Sequence, residues 1–168
     1  MKWYAVRTRY KCEKQVCRHL AQQGVECYLP LMSKTRRYQR KIKHYEVPLI
    51  NCFIFVHIDY ADRVRILRNY NVVEFLKIGN DISSVADEEI DTLRRVVGEA
   101  AEFKIGPLEW ATGDTVEVIG GSLTGLRGIM VDRSSKHEFV VELESLGYQF
   151  TIKIDESLLR RMPKRLSA

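Results

Sequence analysis

Four cysteines and four histidines are the side chains of this sequence best suited to hold a metal ion. They are Cys12, Cys17, Cys27 and Cys52, and His19, His44, His57 and His137. No Cys-x-x-Cys or His-x-x-x-His pair occurs among them, although zinc sites commonly use such spacings. The sequence therefore predicts no metal site, and Cys27 and Cys52 fit better as small apolar residues of strands.

Motifs that cradle nucleotide phosphates or present a catalytic nucleophile are also missing from the sequence. There is no G-x-x-x-x-G-K-S/T, G-x-G-x-x-G, G-x-S-x-G or H-E-x-x-H. The carboxylates of Asp87, Glu88 and Glu89 crowd the first turn of a predicted helix, where the helix dipole favours them. We predict no catalytic residues and no cofactor, so an enzyme is not expected.

Lysine and arginine are concentrated in the first third of the chain. Residues 1–60 contain 12 Lys and Arg against 4 Asp and Glu, whereas residues 61–168 contain 15 against 18. This asymmetry indicates a polyanionic neighbour, and an ordinary solvated surface explains it equally well. Within the basic third, Ser33–Tyr45 has almost no apolar residue and predicts a solvated hairpin arm.

The hydrophobic pattern of the first hundred residues alternates between strand and helix periods. An amphipathic helix is predicted at Cys12–Gln23, with Gly24 as its C-terminal stop. Cys52–Ile58 is the strongest strand signal and should lie in the middle of a sheet. The remaining predicted elements are strands at Trp3–Thr8, Val25–Met32 and Val72–Ile78 and helices at Ala61–Tyr70 and Asp87–Val97.

A different pattern follows Gly106-Pro107. Short runs of alternating β-branched and aromatic residues are separated by glycines, which is typical of a small barrel of short strands. We predict a first domain at 1–98, a linker at 99–110, a barrel at 111–163 and a tail at 164–168.

Both halves resemble one known family. Gly113–Val131 resembles a KOW motif, with Gly121, Gly125 and Gly128 at the expected steps. Trp3–Val6, Glu26–Pro30, Pro48–Val56 and Val73–Gly79 resemble the N-terminal domain of NusG in order and spacing. The resemblance spans essentially the whole chain. It implies an α+β fold, with an antiparallel sheet flanked by helices followed by a five-stranded, all-β SH3-like KOW barrel.

The resemblance also implies partners. NusG proteins bind the clamp helices of the RNA polymerase β′ subunit, with the β subunit as a further contact, and bridge the cleft to suppress pausing. The matching apolar positions are Trp3, Ile50, Phe53 and Phe55, and an apolar concavity of this kind suits a docked helix. Phe53 and Phe55 share one face of their strand, so the alternative is that some of the four are plain core.

The basic residues match regions where relatives approach non-template or upstream DNA. Lys and Arg at these positions would bind phosphate without reading sequence. Tyr10 or Tyr38 is a candidate for stacking a flipped base. The predicted nucleic-acid-proximal residues are Arg9, Lys11, Lys14 and Arg18, together with Arg36, Arg37, Arg40 and Lys41.

Departures from housekeeping NusG bear on the barrel. Its first loop carries Leu123 and Leu126 in place of aromatic residues, and these two leucines are the predicted partner-binding residues, with a ribosomal protein as the candidate partner. Leu146-Gly147-Tyr148 replaces a Phe-Gly-Arg element, which argues against contact with Rho. The Pro48–Val56 run resembles RfaH and UpxY-type paralogues, so we expect an operon-specific antitermination factor with a permanent barrel.

Two alternatives stay open at this point. One is a general NusG that recruits Rho or a ribosomal protein through its KOW barrel, and the other is a ribosome- or RNA-binding KOW protein. No stretch of the sequence is long and apolar enough to cross a membrane, and no signal peptide is evident, so a cytoplasmic protein with reduced thiols is expected. No heptad seam argues for more than a monomer.

Overall fold

The computed structural model describes residues 1–99, 102–109, 113–133 and 136–163 of the 168-residue chain. The chain divides into two compact units, Met1–Ile90 and Asp91–Ala168. Helix Asp87–Glu99 contains the point of division. The domain boundaries predicted from the sequence therefore stay a prediction, and the predicted tail lies outside the described residues.

The first unit is built on an antiparallel sheet with helices. Its elements in chain order are β1 (Lys2–Thr8), α1 (Glu13–Gln22), β2 (Glu26–Tyr28), β3 (Leu31–Tyr38), β4 (Lys41–Pro48), β5 (Phe53–Ile58), a 3-10 turn (Tyr60–Asp62), α2 (Arg63–Leu67), β6 (Val72–Phe75), β7 (Lys77–Ile78), β8 (Asp81–Ile82) and β9 (Ser84–Val85). Helix α3 (Asp87–Glu99) begins in this unit and ends in the second. The main sheet has the order β2-β5-β1-β6, and β9 also pairs with β1. The central position expected for β5 is thus confirmed.

Helix α1 forms because its apolar residues fall on one face. Val16 and Leu20, four positions apart, are almost completely buried, and they join the core cluster that contains Val6 and Ile54 of the sheet. Burying each such side chain contributes about 1.5–3 kcal/mol. Gly24 follows the helix with φ +78°, a left-handed conformation that glycine adopts at little cost. The predicted helix is confirmed to within one residue at each end.

Two predicted strands are interrupted in the structure. The Val25–Met32 prediction divides into β2 and β3 around Pro30, which has no N–H to donate to a strand ladder. The Val72–Ile78 prediction divides because β7 turns away to pair with β8 through a hairpin that contains Gly79 at φ +64°.

Cys17 and Cys27 form a disulfide in the structure, so the expectation of reduced thiols is wrong for this pair. Helix α1 and strand β2 bring their Cα atoms to 5.6 Å, within the range that a disulfide requires. The spacing of ten residues carried no such signal, because the connection depends on how the helix packs on the edge strand. Cys12 and Cys52 are free.

The second unit contains a six-stranded antiparallel sheet. Its strands are β10 (Phe103–Pro107), β11 (Asp114–Val118), β12 (Arg127–Arg133), β13 (Lys136–Leu143), β14 (Tyr148–Ile152) and β15 (Leu159–Arg161), in the spatial order β10-β14-β13-β12-β11-β15. The five strands expected from the resemblance are present with β10 as a sixth. Strand β10 lies in the predicted linker, where Phe103 pairs with Ile152 and Ile105 with Phe150. Residues 100, 101 and 110 of that linker lie outside the described part.

Candidate functional site

A pocket of about 220 Å³, which we call the Phe53 pocket, lies at the N-terminal end of β5 in the first unit. Half-buried Phe53 lines it together with Phe75 and Leu76, and Arg7, Glu74 and Lys77 complete its lining. Arg7 stands opposite both Phe53 and Glu74 in the sheet register, and its guanidinium forms an ion pair with the Glu74 carboxylate at 3.0 Å. The pocket therefore combines an apolar wall with charges of both signs, an arrangement that suits an amphipathic helix.

The turn before β5 fixes the position of Phe53. Cys52 has φ +64°, an uncommon conformation for a residue other than glycine, and two hydrogen bonds hold it. Its N–H donates to the carboxylate of buried Glu13 at 2.8 Å, and its carbonyl accepts from the Thr8 N–H at 2.7 Å. Helix α1 and strand β1 thus both anchor the residue next to Phe53.

The Cys52 thiol is not activated by this environment. Burial raises the pKa of Cys52, and the nearby Glu13 carboxylate raises it further. Because the thiolate is the reactive form of cysteine, a raised pKa makes this thiol a poor nucleophile at neutral pH. The geometry therefore gives Cys52 a structural role in the turn.

The other three residues of the predicted apolar patch are buried in this structure. Trp3 stacks on His57 with the ring centroids 4.9 Å apart, and Phe55 lies 6.1 Å from the ring of Tyr28. Trp3 and Ile50 are each 5% exposed and Phe55 is fully buried. The four residues do not form one exposed patch, because only Phe53 keeps part of its side chain exposed. Contact of these residues with a polymerase stays a prediction.

A polar concavity of about 350 Å³ separates α1 from the segment after α2. Of the predicted basic residues, Arg18 lines it, and the others are Gln15, Val16, His19, Gln22, Asn69 and Asn71. The Asn69 carboxamide lies 2.9 Å from Nδ1 of His19, and Asn71 donates to Gln15 at 3.4 Å. Sequence reasoning missed Asn69 and Asn71, because about 50 residues separate them from α1.

The other basic residues of this region lie around the turn into α1. The Arg9 guanidinium stacks over the ring of Tyr70 at 4.2 Å, and the Lys11 ammonium lies 5.2 Å from the ring of Tyr10. Tyr10 and Tyr70 are 67% and 77% exposed, so both rings remain open to a ligand. Lys14 is instead held by Glu46, at 3.5 Å from its carboxylate. Tyr70 is a further candidate that the sequence pattern did not single out.

The remaining predicted basic residues lie on the two-stranded hairpin of β3 and β4. Arg36 and Arg37 belong to β3, Arg40 to the turn and Lys41 to β4, and all four are exposed. Within the described part of the chain, none of them lies within 4.0 Å of a carboxylate. The expected solvated arm is confirmed.

Comparison with known protein families identifies the family of this chain. The family model described as "Transcription termination factor nusG" matches residues 1–94, which include the Phe53 pocket, the polar concavity and the hairpin. The chain belongs to the NusG family. It is therefore a member of a family of transcription factors, as its sequence resemblance predicted.

Solved structures of NusG type are also similar. "Domain interaction in Thermotoga maritima NusG" describes one with 18% sequence identity and a TM-score of 0.55, covering 96% of this chain and 97% of that one. Crystal structures of an MjSpt4:Spt5 complex in two conformations also match, each at 18% sequence identity. The match to conformation A covers 97% of this chain and 99% of that chain, with a TM-score of 0.33. The match to conformation B covers 96% of this chain and 97% of that chain, with a TM-score of 0.34. None of the curated protein sequences compared is significantly similar. The Thermotoga maritima structure supports the NusG-like α+β fold.

The predicted partner-binding loop lies beyond the part that the NusG family model matches. Leu123 and Leu126 are each 6% exposed, so neither presents its side chain to solvent here. The loop folds back on β11, because the Gly125 N–H donates to the Val118 carbonyl and the Val118 N–H donates to Leu126. A partner contact through these leucines stays a prediction, and the structure gives it no exposed surface.

Across residues 1–99, 102–109, 113–133 and 136–163, no three His, Cys, Asp or Glu side chains come together as metal ligands. No helix in the same ranges is both long and apolar enough to span a bilayer.

Proposed function

We propose that the protein binds RNA polymerase through the Phe53 pocket and promotes processive elongation as an operon-specific antitermination factor. The supporting observation is Phe53 itself, the one member of the predicted patch that keeps part of its side chain exposed, at the wall of a pocket with a mixed-charge lining. The proposed partner is an amphipathic helix of the polymerase clamp, whose apolar face would occupy the pocket. The protein acts without catalysis, in the cytoplasm and as a monomer.

The second part of the proposal concerns nucleic acid. Arg18 lines the polar concavity, and the Arg9 N–H donates to the carbonyl of Asn71, another residue of its lining. Arg9 and Lys11 lie against the exposed rings of Tyr70 and Tyr10 at the turn into α1. Cations supply phosphate attraction without sequence preference, whereas carboxamides and aromatic rings can contact bases. This surface would hold non-template DNA beside the polymerase, and the basic hairpin would extend the contact to upstream DNA.

Phe53→Asp should weaken binding to purified core RNA polymerase at least about tenfold, because it removes the apolar wall of the pocket and puts a hydrated carboxylate, opposite Arg7, where an apolar helix face would dock. Val64→Asp is the matched control, since Val64 is a 52% exposed apolar residue of α2 outside the pocket. We would measure equilibrium binding of the full-length variants and confirm folding by circular dichroism. Phe53→Ala serves as a milder variant.

Two results would contradict this proposal. Absence of polymerase binding by the wild-type protein would remove the elongation function. Equal binding by folded Phe53→Asp, Phe53→Ala and Val64→Asp would show that the polymerase contact lies elsewhere.

The operon-specific role predicts that the full-length protein does not retain Rho in a pull-down. Leu123 and Leu126 are buried leucines where housekeeping NusG has loop aromatics, and buried Leu146 stands where it has the phenylalanine of the Phe-Gly-Arg element. Retention of Rho by the wild-type protein would instead favour the general NusG role. A ribosomal protein is tested in the same way.

A further inference from the structure

The hairpin of β3 and β4 has two chemically different faces. In the antiparallel register Lys34 lies opposite Tyr45, Arg36 opposite Lys43, and Tyr38 opposite Lys41. Directly opposed residues and residues two apart on a strand point to the same face. The six residues therefore form one surface, which we call the tyrosine face: Lys34, Arg36, Tyr38, Lys41, Lys43 and Tyr45. Thr35, Arg37, Ile42 and His44 form the opposite face.

The tyrosine face carries four cations and no carboxylate. Arg36 and Lys43 stand directly opposite each other, and like charges in that position destabilise a strand pair. Glu46 is the single acidic residue of Leu31–Pro48, and it belongs to the opposite face and is engaged by Lys14. The charge on the tyrosine face is therefore uncompensated within the hairpin, and a polyanion would relieve the repulsion.

Two exposed aromatic rings flank the central cations. Tyr38 is 47% exposed and Tyr45 is 37% exposed, and the guanidinium of Arg36 lies 5.3 Å from the Tyr38 ring. The pair that contains Tyr38 and the pair that contains Lys34 lie four positions apart, about 13 Å along the strand, and the pair of Arg36 and Lys43 lies between them. The surface thus alternates an aromatic ring, a pair of cations and a second aromatic ring.

We propose that the tyrosine face binds single-stranded nucleic acid, with Tyr38 and Tyr45 stacking on unpaired bases and Arg36 and Lys43 contacting the phosphates between them. Exposed aromatic rings beside cations are the arrangement that holds single strands without sequence preference. A duplex offers only its phosphates, because its bases are already stacked on each other. DNA and RNA single strands share the required chemistry.

This inference deepens the nucleic-acid contact of the proposed function, but its test contains no polymerase, so each can fail alone. Labelled single-stranded DNA, single-stranded RNA and duplex DNA of matched length would be titrated with the full-length protein, and binding followed by fluorescence anisotropy. Tyr38→Ala and Tyr45→Ala should each weaken single-strand binding at least about fivefold and leave duplex binding nearly unchanged. Lys43→Ala should weaken all three and reduce their salt dependence.

The matched control is the double variant Ile42→Ala/His44→Ala, which removes an apolar side chain and a ring from the opposite face of the same strand. It should bind single strands within about twofold of wild type. Because every replaced side chain is exposed, the variants should keep the wild-type unfolding temperature. The comparison of the DNA and RNA titrations identifies the preferred strand.

Three results would overturn the proposal: no single-strand binding by the wild-type protein, unchanged binding by both tyrosine variants, or an equal loss in the control. Unchanged binding by the tyrosine variants with a loss for Lys43→Ala would show a surface that attracts phosphate alone. Polymerase binding by the tyrosine variants, measured separately, reports on the Phe53 pocket and is expected to match wild type.

Discussion

Phe55→Ala should lower the free energy of unfolding of the first unit by about 3–5 kcal/mol, the usual loss when a buried phenylalanine is truncated. Phe55 is fully buried in central strand β5, between Ala5 of β1 and Tyr28 of β2 in the sheet register. Truncation leaves a cavity that neighbouring strands cannot close without breaking their ladders. Urea unfolding of the full-length protein, followed by NMR signals of β5, measures the change.

Phe53→Ala is the natural comparison, because Phe53 lies two residues earlier on the same face of β5. Its side chain is half-buried, so its truncation removes less apolar area from contact and should cost clearly less than Phe55→Ala. Equal losses would contradict the distinction between a packing residue and a surface residue. If Phe55→Ala loses much of its stability, weak polymerase binding by that variant reflects unfolding. Weak binding by the more stable Phe53→Ala variant reflects loss of the polymerase contact.

Local patterns in the sequence were sufficient for the elements that position the pocket. The four-residue spacing of Val16 and Leu20 predicted α1, and the run of aromatic and β-branched residues in Cys52–Ile58 predicted β5. Such patterns identify an element because its period decides which side chains meet. They also showed that Phe53 and Phe55 share a face. They did not show how completely that face is covered, so the sequence left open which of Trp3, Ile50 and Phe55 are core residues.

Features that depend on distant pairing were not predictable in the same way. Strand β10 was interpreted as linker because Gly106-Pro107 usually breaks a strand, and its pairing with β14 joins residues more than 40 positions apart. Asn69 and Asn71 reach the polar concavity only because the segment after α2 packs beside α1. The disulfide between Cys17 and Cys27 has the same origin. The tyrosine face of the hairpin required the register, since a shift by one residue would separate Tyr38 from Lys41 and Lys43.

Gly128→Ala should destabilise the second unit by about 3 kcal/mol or more, at the upper end of the cost of overpacking. A Cβ atom at Gly128 would lie 2.4 Å from the Val140 carbonyl oxygen and 2.7 Å from the nearest Phe139 ring atom. The oxygen belongs to the backbone of β13, which pairs with β12, and Phe139 is itself buried. To relieve this clash, β12 must move away from β13, and the movement weakens the hydrogen bonds between the two strands.

Gly106→Ala is the matched control, since Gly106 also lies in a strand of the second unit and an added Cβ would meet nothing within 4 Å. This change should be neutral or slightly stabilising, because alanine restricts the unfolded chain more than glycine does. Thermal and urea unfolding of both full-length variants compares them directly. A difference of less than about 1 kcal/mol would mean that β12 and β13 yield easily to an added methyl group. The close approach of these two strands would then not explain why glycine occupies position 128 of β12.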